Sequence, residues 1–183
     1  ILHTKLSPEE LDDLYLKEWE FLTMMINSDI SNYSAWHQRR ILILHYINKC
    51  DGNKIPEGDI HSLIKKEGDY IYNAIFTDAE DQSVWNYMKW FVTDSSIAKV
   101  LLDHELSELV DKFLEAMEEI NEDEVEFHGK LNKWCTLMII FLGDRYEREF
   151  SLVDRKRLYD SLKIIDSLRA IRYQEMSDQI LKK

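Results

Sequence analysis

The groups in this chain that could do chemistry are six histidines, two cysteines and 35 carboxylates, and their spacing limits what they can do. Two histidine ligands on one helical face are typically four residues apart, and no two histidines here have that separation. The acidic and histidine cluster at 103–105 is interpreted as a solvent-exposed helix edge. The segment 51–56 begins like a calcium-binding loop, but Ile55 stands at a ligand position and Pro56 where the turn requires glycine. The sequence therefore predicts no metal site in this chain.

Nucleophilic catalysis is also poorly supported. Cys50 and Cys135 form no CxxC pair, which is typical of ordinary thiols in a reducing compartment and predicts a cytoplasmic protein. Ser34 and Ser83 lack the glycines that a nucleophile turn requires, so they are predicted to be small packing residues. None of the many carboxylates stands out as an acid–base pair. We therefore expect no catalytic and no cofactor-binding residue in this chain.

Two segments, 32–40 and 81–90, repeat one pattern. Each places a short polar residue four positions before a tryptophan, and a basic residue three or four positions after it. The matching residues are Asn32, Trp36 and Arg39 in the first segment and Asp81, Trp85 and Lys89 in the second. A repeat of this kind on helices predicts stacked helical hairpins, because one hairpin alone cannot bury its apolar face.

The two motif tryptophans could stack on a ligand, but a repeated tryptophan in a hairpin array more often fills the space against the next hairpin. We therefore expect Trp36 and Trp85 in the core. Asn32 and Asp81 are predicted to cap their helices, each stabilising the fold by roughly 1 kcal/mol.

Stacked hairpins also predict a shared rim. Because the second helices of such hairpins begin along one edge, Asn32, Tyr33 and Gln82 are expected to lie together there. Polar groups with one aromatic suit an interface with another subunit. The equally weighted alternative is that Asn32 only caps its helix and Tyr33 covers a loop. The residues assigned to the repeat motif and this subunit interface are Asn32, Tyr33, Trp36, Arg39, Asp81, Gln82, Trp85 and Lys89.

The elements that position these residues are predicted to be helices. Five glycines and two prolines in 183 residues favour long helices with short loops, and no segment alternates like a strand. A capping box from Ser7 to Glu10 starts the first helix. We expect seven or eight helices. The first is predicted to end at about 27 and the second at about 48, the third covers 60–75, and the fourth begins at the second tryptophan motif. A long fifth helix is expected over 97–120, ended by 121–123, followed by a sixth over 131–142 and a closing region over 152–181 that divides near 166.

The predicted fold class is all-α, an α-α superhelix of antiparallel helical hairpins in a single domain over 1–183. The formal net charge of −12 disfavours nucleic-acid binding, which needs a basic face. No apolar run reaches the ~18 residues of a membrane span. The chain lacks an initiating methionine, and we expect it to be part of a longer protein.

The string Asn-x-x-x-Trp-x-x-Arg at 32–39 resembles the repeat of protein prenyltransferase α subunits. The string Phe-Thr-Asp-x-x-Asp-Gln-Ser-x-Trp at 76–85 is more similar to the α subunits of Rab geranylgeranyltransferases (type II) than to those of farnesyltransferases. Segment 165–170 is similar to the closing Asp-Pro-x-Arg helix of the same family. The likeness covers residues 18–173 of this chain.

This resemblance implies the C-terminal portion of a type II α subunit, a crescent of hairpins that scaffolds the prenyltransferase β subunit in a heterodimer. The β subunit would hold the zinc, while the Rab escort protein and Rab GTPase would dock for geranylgeranylation of C-terminal cysteines. In the family, a lysine that approaches the isoprenoid diphosphate stands just before a motif asparagine. Ser31 and Glu80 occupy that place here, so this chain alone is expected to be inactive and to bind no zinc.

Two alternatives are weighed against this interpretation. The α subunit shared by farnesyltransferase and type I geranylgeranyltransferase recognises short C-terminal peptides directly, and the string at 81–83 argues against it. A non-enzymatic helical-repeat adaptor of the tetratricopeptide kind has a 34-residue period, whereas the motif tryptophans here lie 49 residues apart.

Overall fold

The computed structural model describes residues 8–52, 57–102, 107–146 and 152–180. Within these ranges the backbone is helical with short turns, and it contains no strand. The helices are α1 (Pro8–Ser28), α2 (Tyr33–Gly52), α3 (Glu57–Thr77), α4 (Gln82–Thr93), α5 (Ser95–Leu101), α6 (Ser107–His128), α7 (Lys133–Arg145), α8 (Leu152–Ile165) and α9 (Ala170–Ile180), with a 3-10 turn at Ser167–Arg169 between the last two.

The helices pair into hairpins that stack on one another. The pairs are α1 with α2, α3 with α4, α6 with α7, and α8 with α9. Neighbouring hairpins meet through α2 against α4, α3 against α6, α4 against α7 and α7 against α8. This confirms the predicted all-α array of helical hairpins.

The prediction of one long fifth helix over 97–120 was wrong. Two helices cover that stretch, since α5 ends at Leu101 and α6 begins at Ser107. The helix also does not break at 121–123, because α6 continues to His128. Glu122 and Asp123 lie on its exposed side, and the buried Asn121 side chain accepts a hydrogen bond from the backbone amide of Asn132 at 2.8 Å. Tertiary packing overrides the weak helix propensity of these polar residues.

Other boundaries agree with expectation or fall elsewhere. The division of the closing region near 166 is confirmed, and α2 runs to Gly52 rather than to about 48. Three predicted features lie outside the described residues: the Ser7 half of the capping box, the central part of the 51–56 loop and the 103–105 cluster. The side chain of Cys50 also lies outside them.

The main hydrophobic core runs through the first three hairpins and is centred on the two motif tryptophans. Trp36 and Trp85 are 1% and 2% exposed, as expected for residues between hairpins. The stripe that α4 buries shows how the sequence achieves this, with Val84, Met88 and Phe91 at helical spacing. A smaller cluster joins α7 to the last hairpin through Ile140, Tyr159, Leu162 and Tyr173.

Each motif tryptophan also forms a hydrogen bond with the turn that precedes it. The indole Nε1 of Trp36 donates to the carbonyl of Ile30, and that of Trp85 donates to the carbonyl of Ala79, both at 2.8 Å. Both bonds reach back six residues, so the same local structure occurs twice. A buried indole N–H requires such a partner, and here the partner is the turn between the two helices of one hairpin.

We expect Trp36→Ala and Trp85→Ala each to lower the free energy of unfolding by about 3–5 kcal/mol, because each opens a large cavity and frees a turn carbonyl. Urea denaturation of the full-length chain measures this. Tyr33→Ala, at an exposed aromatic next to the same turn, is the matched control and should change stability by less than about 0.5 kcal/mol. Equal effects of all three substitutions would show that the tryptophans are not core residues.

Candidate functional site

The turns that join the two helices of each hairpin lie side by side and form one continuous surface. The Ser31 hydroxyl donates to the Asp81 carboxylate, and the Ser83 hydroxyl donates to the Ser31 carbonyl at 3.3 Å. The side-chain amide of Asn132 donates to the Ala79 carbonyl at 3.2 Å. We call the surface formed by residues 29–33, 78–82 and 129–132 the loop edge.

Three short polar residues cap the second helices along this edge. The Asn32 Oδ1 atom accepts from the Ala35 amide at 3.0 Å, and the Asp81 carboxylate accepts from the Ser83 amide at 2.7 Å. Asn132 does the same for α7 through the Trp134 amide at 2.8 Å. The predicted caps at Asn32 and Asp81 are therefore present, and a third cap continues the series.

Sequence analysis missed this third cap. Asn132 follows Asp81 by 51 residues, close to the 49 between Asp81 and Asn32, so the spacing carried the signal. The signal was weak because Thr136 stands where the first two repeats have tryptophan. Thr136 is fully buried and donates its hydroxyl to the Asn132 carbonyl at 2.6 Å.

A fourth turn extends the loop edge at its far end. Asp166 accepts hydrogen bonds from the Arg169 guanidinium at 2.7 Å and the Tyr173 hydroxyl at 2.8 Å. Its carboxylate lies 3.9 Å from the Lys133 ammonium, which opens α7. Burial raises the pKa of Asp166, but these donors and charges outweigh burial and lower it. The ionised Asp166 thus ties the last hairpin to the turn before it.

The loop edge exposes large apolar side chains at its turns. Tyr33 is 60% exposed and Leu168 is 98% exposed. Phe76 at the end of α3 and Phe127 near the end of α6 are exposed beside their turns as well. Exposed apolar side chains such as Leu102 and Ile164 are present away from these turns as well, so the four residues mark the loop edge as one candidate interface.

Arg39, the basic residue of the first motif, lies in the interior instead. It is 3% exposed, and its Nε and Nη2 atoms each donate to the Glu67 carboxylate at 2.7 Å. Its Nη1 atom donates to the Thr23 hydroxyl at 2.7 Å, and the Tyr87 hydroxyl donates to Glu67 at 2.6 Å. Arg39 and Glu67 together therefore join side chains of α1, α2, α3 and α4. We call Arg39, Glu67, Thr23 and Tyr87 the clamp.

Aromatic rings complete the surroundings of the clamp. The Arg39 guanidinium carbon lies 4.0 Å from the Trp19 ring centroid and 4.4 Å from that of Tyr70. Burial lowers the pKa of Arg39, but the hydrogen bonds and charge of Glu67 outweigh it and raise the pKa. Burial and the charge of Glu67 raise the pKa of Tyr87 well above its usual value. Tyr87 therefore remains a hydrogen-bond donor, and the clamp holds two hairpins together without access to a substrate.

The remaining predicted site residues are on the surface. Gln82 is exposed at the start of α4 on the loop edge. Lys89 is exposed one turn beyond Trp85, with its ammonium 5.6 Å from the Phe141 ring centroid. Of the eight predicted residues, the structure thus brings Asn32, Tyr33, Asp81 and Gln82 to the loop edge and places Trp36, Arg39 and Trp85 in the interior.

Glu67 and Tyr87 are structural residues that sequence analysis missed. The signal for Glu67 was its position in the apolar stripe of α3, where it falls between Ile64 and Ile71. A carboxylate on a buried stripe requires a cationic partner. The identity of that partner could not be read from α3 alone, because Arg39 belongs to another hairpin.

The described residues contain no group of three histidine, cysteine or acidic side chains that could hold a metal ion. Cys135 is buried and free, and burial raises the pKa of its thiol, so it is protonated and unreactive near neutral pH. Among the described helices, none is long and apolar enough to cross a membrane.

The comparisons with known proteins agree with this architecture. The family described as protein prenyltransferase alpha subunit repeat matches residues 15–46 and 64–94. These ranges fall on the α1–α2 and α3–α4 hairpins, which the clamp joins. The fold and its repeated turns therefore define a helical-repeat protein.

Named relatives extend the match over most of the chain. It is similar to geranylgeranyl transferase type-2 subunit alpha of Saccharomyces cerevisiae, at 39% identity over 165 residues that cover 89% of this chain and 49% of that protein. The protein of the same name from Schizosaccharomyces pombe is 26% identical over 182 residues, covering 90% and 50%. The one from Homo sapiens is 35% identical over 77 residues, covering 42% and 13%. The chain spans about half the length of the fungal relatives.

Residues 15–46 and 64–94 of the chain match the protein prenyltransferase alpha subunit repeat family, and the two fungal relatives named above are similar to this chain over most of its length. The resemblance seen in the strings at 32–39 and 76–85 is therefore confirmed.

Breaking the clamp on one side should be strongly destabilising. We expect Arg39→Met or Glu67→Met to lower the free energy of unfolding by about 3–5 kcal/mol, because each leaves the other charge buried without its partner. The double variant should regain part of this loss, with a coupling of about 1–3 kcal/mol in a double-mutant cycle.

The ion pair of Lys112 with Asp69 is the matched control. It also has a 2.7 Å separation and also joins two helices, but both side chains are more than 40% exposed. Lys112→Met should therefore cost less than about 1 kcal/mol. A loss for Arg39→Met no larger than that for Lys112→Met, measured by urea denaturation, would contradict the role of the clamp.

Proposed function

We propose that this chain is part of the α subunit of a type II geranylgeranyltransferase and that it scaffolds the catalytic β subunit. The observation that carries the proposal is the loop edge: turns of successive hairpins held in register, with exposed Tyr33 and Gln82 and further apolar residues beside them. Relatives named as type-2 α subunits support the same role.

In this proposal the loop edge faces the β subunit. Protein interfaces combine apolar and aromatic anchors with a polar rim. Tyr33, Phe127 and Leu168 would supply anchors, because they are large and already exposed. The caps Asn32, Asp81 and Asn132 would fix the backbone beneath these anchors, so that little order is lost on binding.

The chemistry of prenyl transfer would then belong to the β subunit. There the zinc ion would activate the acceptor cysteine, and this chain would contribute position rather than reacting groups. The interior Arg39 is paired with Glu67 in the clamp, and burial raises the pKa of the Cys135 thiol. Ser31 and Glu80 stand before the two motif caps and offer no cation to an isoprenoid diphosphate.

We further propose that the complete enzyme modifies C-terminal cysteines of Rab GTPases presented by the Rab escort protein in the cytoplasm. The helices that face away from the β subunit would then be free for the escort protein. The acidic exposed face of α6, with Glu115, Glu118, Glu119, Glu122 and Glu126, would favour a basic docking partner there.

The substitution Tyr33→Glu tests the subunit role. We expect it to weaken association of the full-length α chain with its β subunit by roughly tenfold or more, because it places a charge at a desolvated contact. The thermal melting profile of the isolated α chain should not change, since Tyr33 is mostly exposed. Isothermal titration calorimetry with purified β subunit measures the affinity.

Tyr46→Glu is the matched control. It changes an exposed tyrosine on the same helix α2, 13 residues and about 20 Å further along the axis, away from the loop edge. Association should remain as in the unmodified chain. If Tyr33→Glu binds the β subunit normally while remaining folded, the loop edge is not the β-facing surface.

A further inference from the structure

A groove of about 550 Å³ opens between α4, α7 and the last hairpin, and its lining reaches the fourth turn of the loop edge through Arg169. Helix α7 forms its floor with Trp134, Leu137 and Phe141, which are spaced three and four residues apart and are all half-buried. The opposite face of α7 is buried in the main core through Cys135, Ile139 and Leu142. Helix α7 is therefore apolar on both sides, and only one side is fully covered by the described chain.

The walls of this groove are basic although the chain as a whole is acidic. Five cationic residues line it, whereas Asp144 is the only carboxylate among the described residues of the lining. The cationic residues are Lys89, Lys133, Arg145, Arg169 and Arg172. The formal net charge of the chain is −12, so this concentration of positive charge is local.

Neighbouring carboxylates neutralise only part of that charge. Asp166 pairs with Arg169 and lies near Lys133, and Asp144 pairs with Arg155 outside the groove. Within the described part of the chain, no carboxylate forms an ion pair with Lys89, Arg145 or Arg172. All three residues are exposed and line the groove, and the Arg145 Nε atom donates to the Val92 carbonyl at 3.0 Å.

We propose that this groove binds an extended acidic segment of a partner protein, with an aromatic or aliphatic side chain of that segment placed on the α7 floor. Charge complementarity supports an anionic occupant, because a carboxylate would find unpaired cations here and a repulsive field over most of the remaining surface. The apolar floor supports an occupant that also has hydrophobic side chains.

The spacing of the cations favours a peptide over a single phosphate group. Lys133 is the first residue of α7 and Arg145 is the last, so they lie about 18 Å apart along the helix axis. A phosphate is held by cations that converge on one point. An extended chain covers the same distance with roughly five or six residues, and its alternate side chains can reach the wall and the floor in turn.

This proposal does not depend on the role of the loop edge. It is tested with the full-length chain and a fluorescein-labelled peptide in which glutamates alternate with phenylalanine and leucine, followed by fluorescence anisotropy. We expect saturable binding that weakens as salt rises from about 50 to 300 mM, because exposed charges are screened. Replacing the glutamates by glutamine, or the phenylalanine and leucine by alanine, should each weaken binding.

The double variant Lys89→Glu/Arg172→Glu should reduce peptide affinity by roughly tenfold, since each reversal replaces an attraction by a repulsion. Lys65→Glu/Lys66→Glu is the matched control, because it makes the same charge change on the exposed side of α3, outside the groove. It should leave affinity and salt dependence nearly unchanged. Unchanged melting profiles verify that both variants are folded.

Three results would overturn the proposal. Equal losses of affinity in the two double variants would show a general charge effect, and equal binding of the glutamine peptide would exclude charge recognition. Displacement of the peptide by millimolar inorganic phosphate or by anionic phosphatidylserine vesicles, with no dependence on its phenylalanine and leucine, would assign the groove to a phosphate or lipid headgroup instead.

Discussion

The buried contact between Arg39 and Glu67 is the interaction on which the relative position of the first two hairpins depends. It places a full charge on each side of an otherwise apolar interface, and both charges are fully hydrogen-bonded at 2.7 Å. A buried pair of this kind adds little net stability compared with apolar packing, but any shift of one hairpin along the other leaves a charge uncompensated. The clamp therefore defines register, and the large apolar core around Trp36 and Trp85 supplies the stability.

Register in turn determines whether the turns form one surface. The bonds from Ser31 to Asp81 and from Asn132 to Ala79 require the hairpins to end at the same level. When the turns are aligned, each capping residue caps its own helix, and Tyr33, Gln82 and Phe127 in or beside the turns remain exposed. A flexible array would expose the same residues without fixing their spacing, and it would lose more conformational entropy on binding a partner.

Much of the fold could be predicted because its signals are local. A cap and a tryptophan four residues later define a turn, and two copies 49 residues apart define stacked hairpins. The partners of Arg39 could not be identified from the sequence, because Thr23 and Glu67, and the Tyr87 that donates to Glu67, belong to three other helices. The interruption between α5 and α6 was missed because apolar residues keep helical spacing across it. At the candidate site, the shared edge followed from stacking, but the third cap was hidden by Thr136 at the tryptophan position.

Hydrogen–deuterium exchange of the full-length chain, measured with and without the proposed β subunit, tests most directly whether the aligned turns form the partner surface. Increased protection is predicted in peptides that cover residues 29–33, 78–82 and 129–132 together, because all three turns belong to one edge. Peptides over α5, at the opposite end of α4, should exchange at the same rate in both states. Protection confined to α5, with unchanged exchange at the three turns, would contradict the proposed orientation of the array.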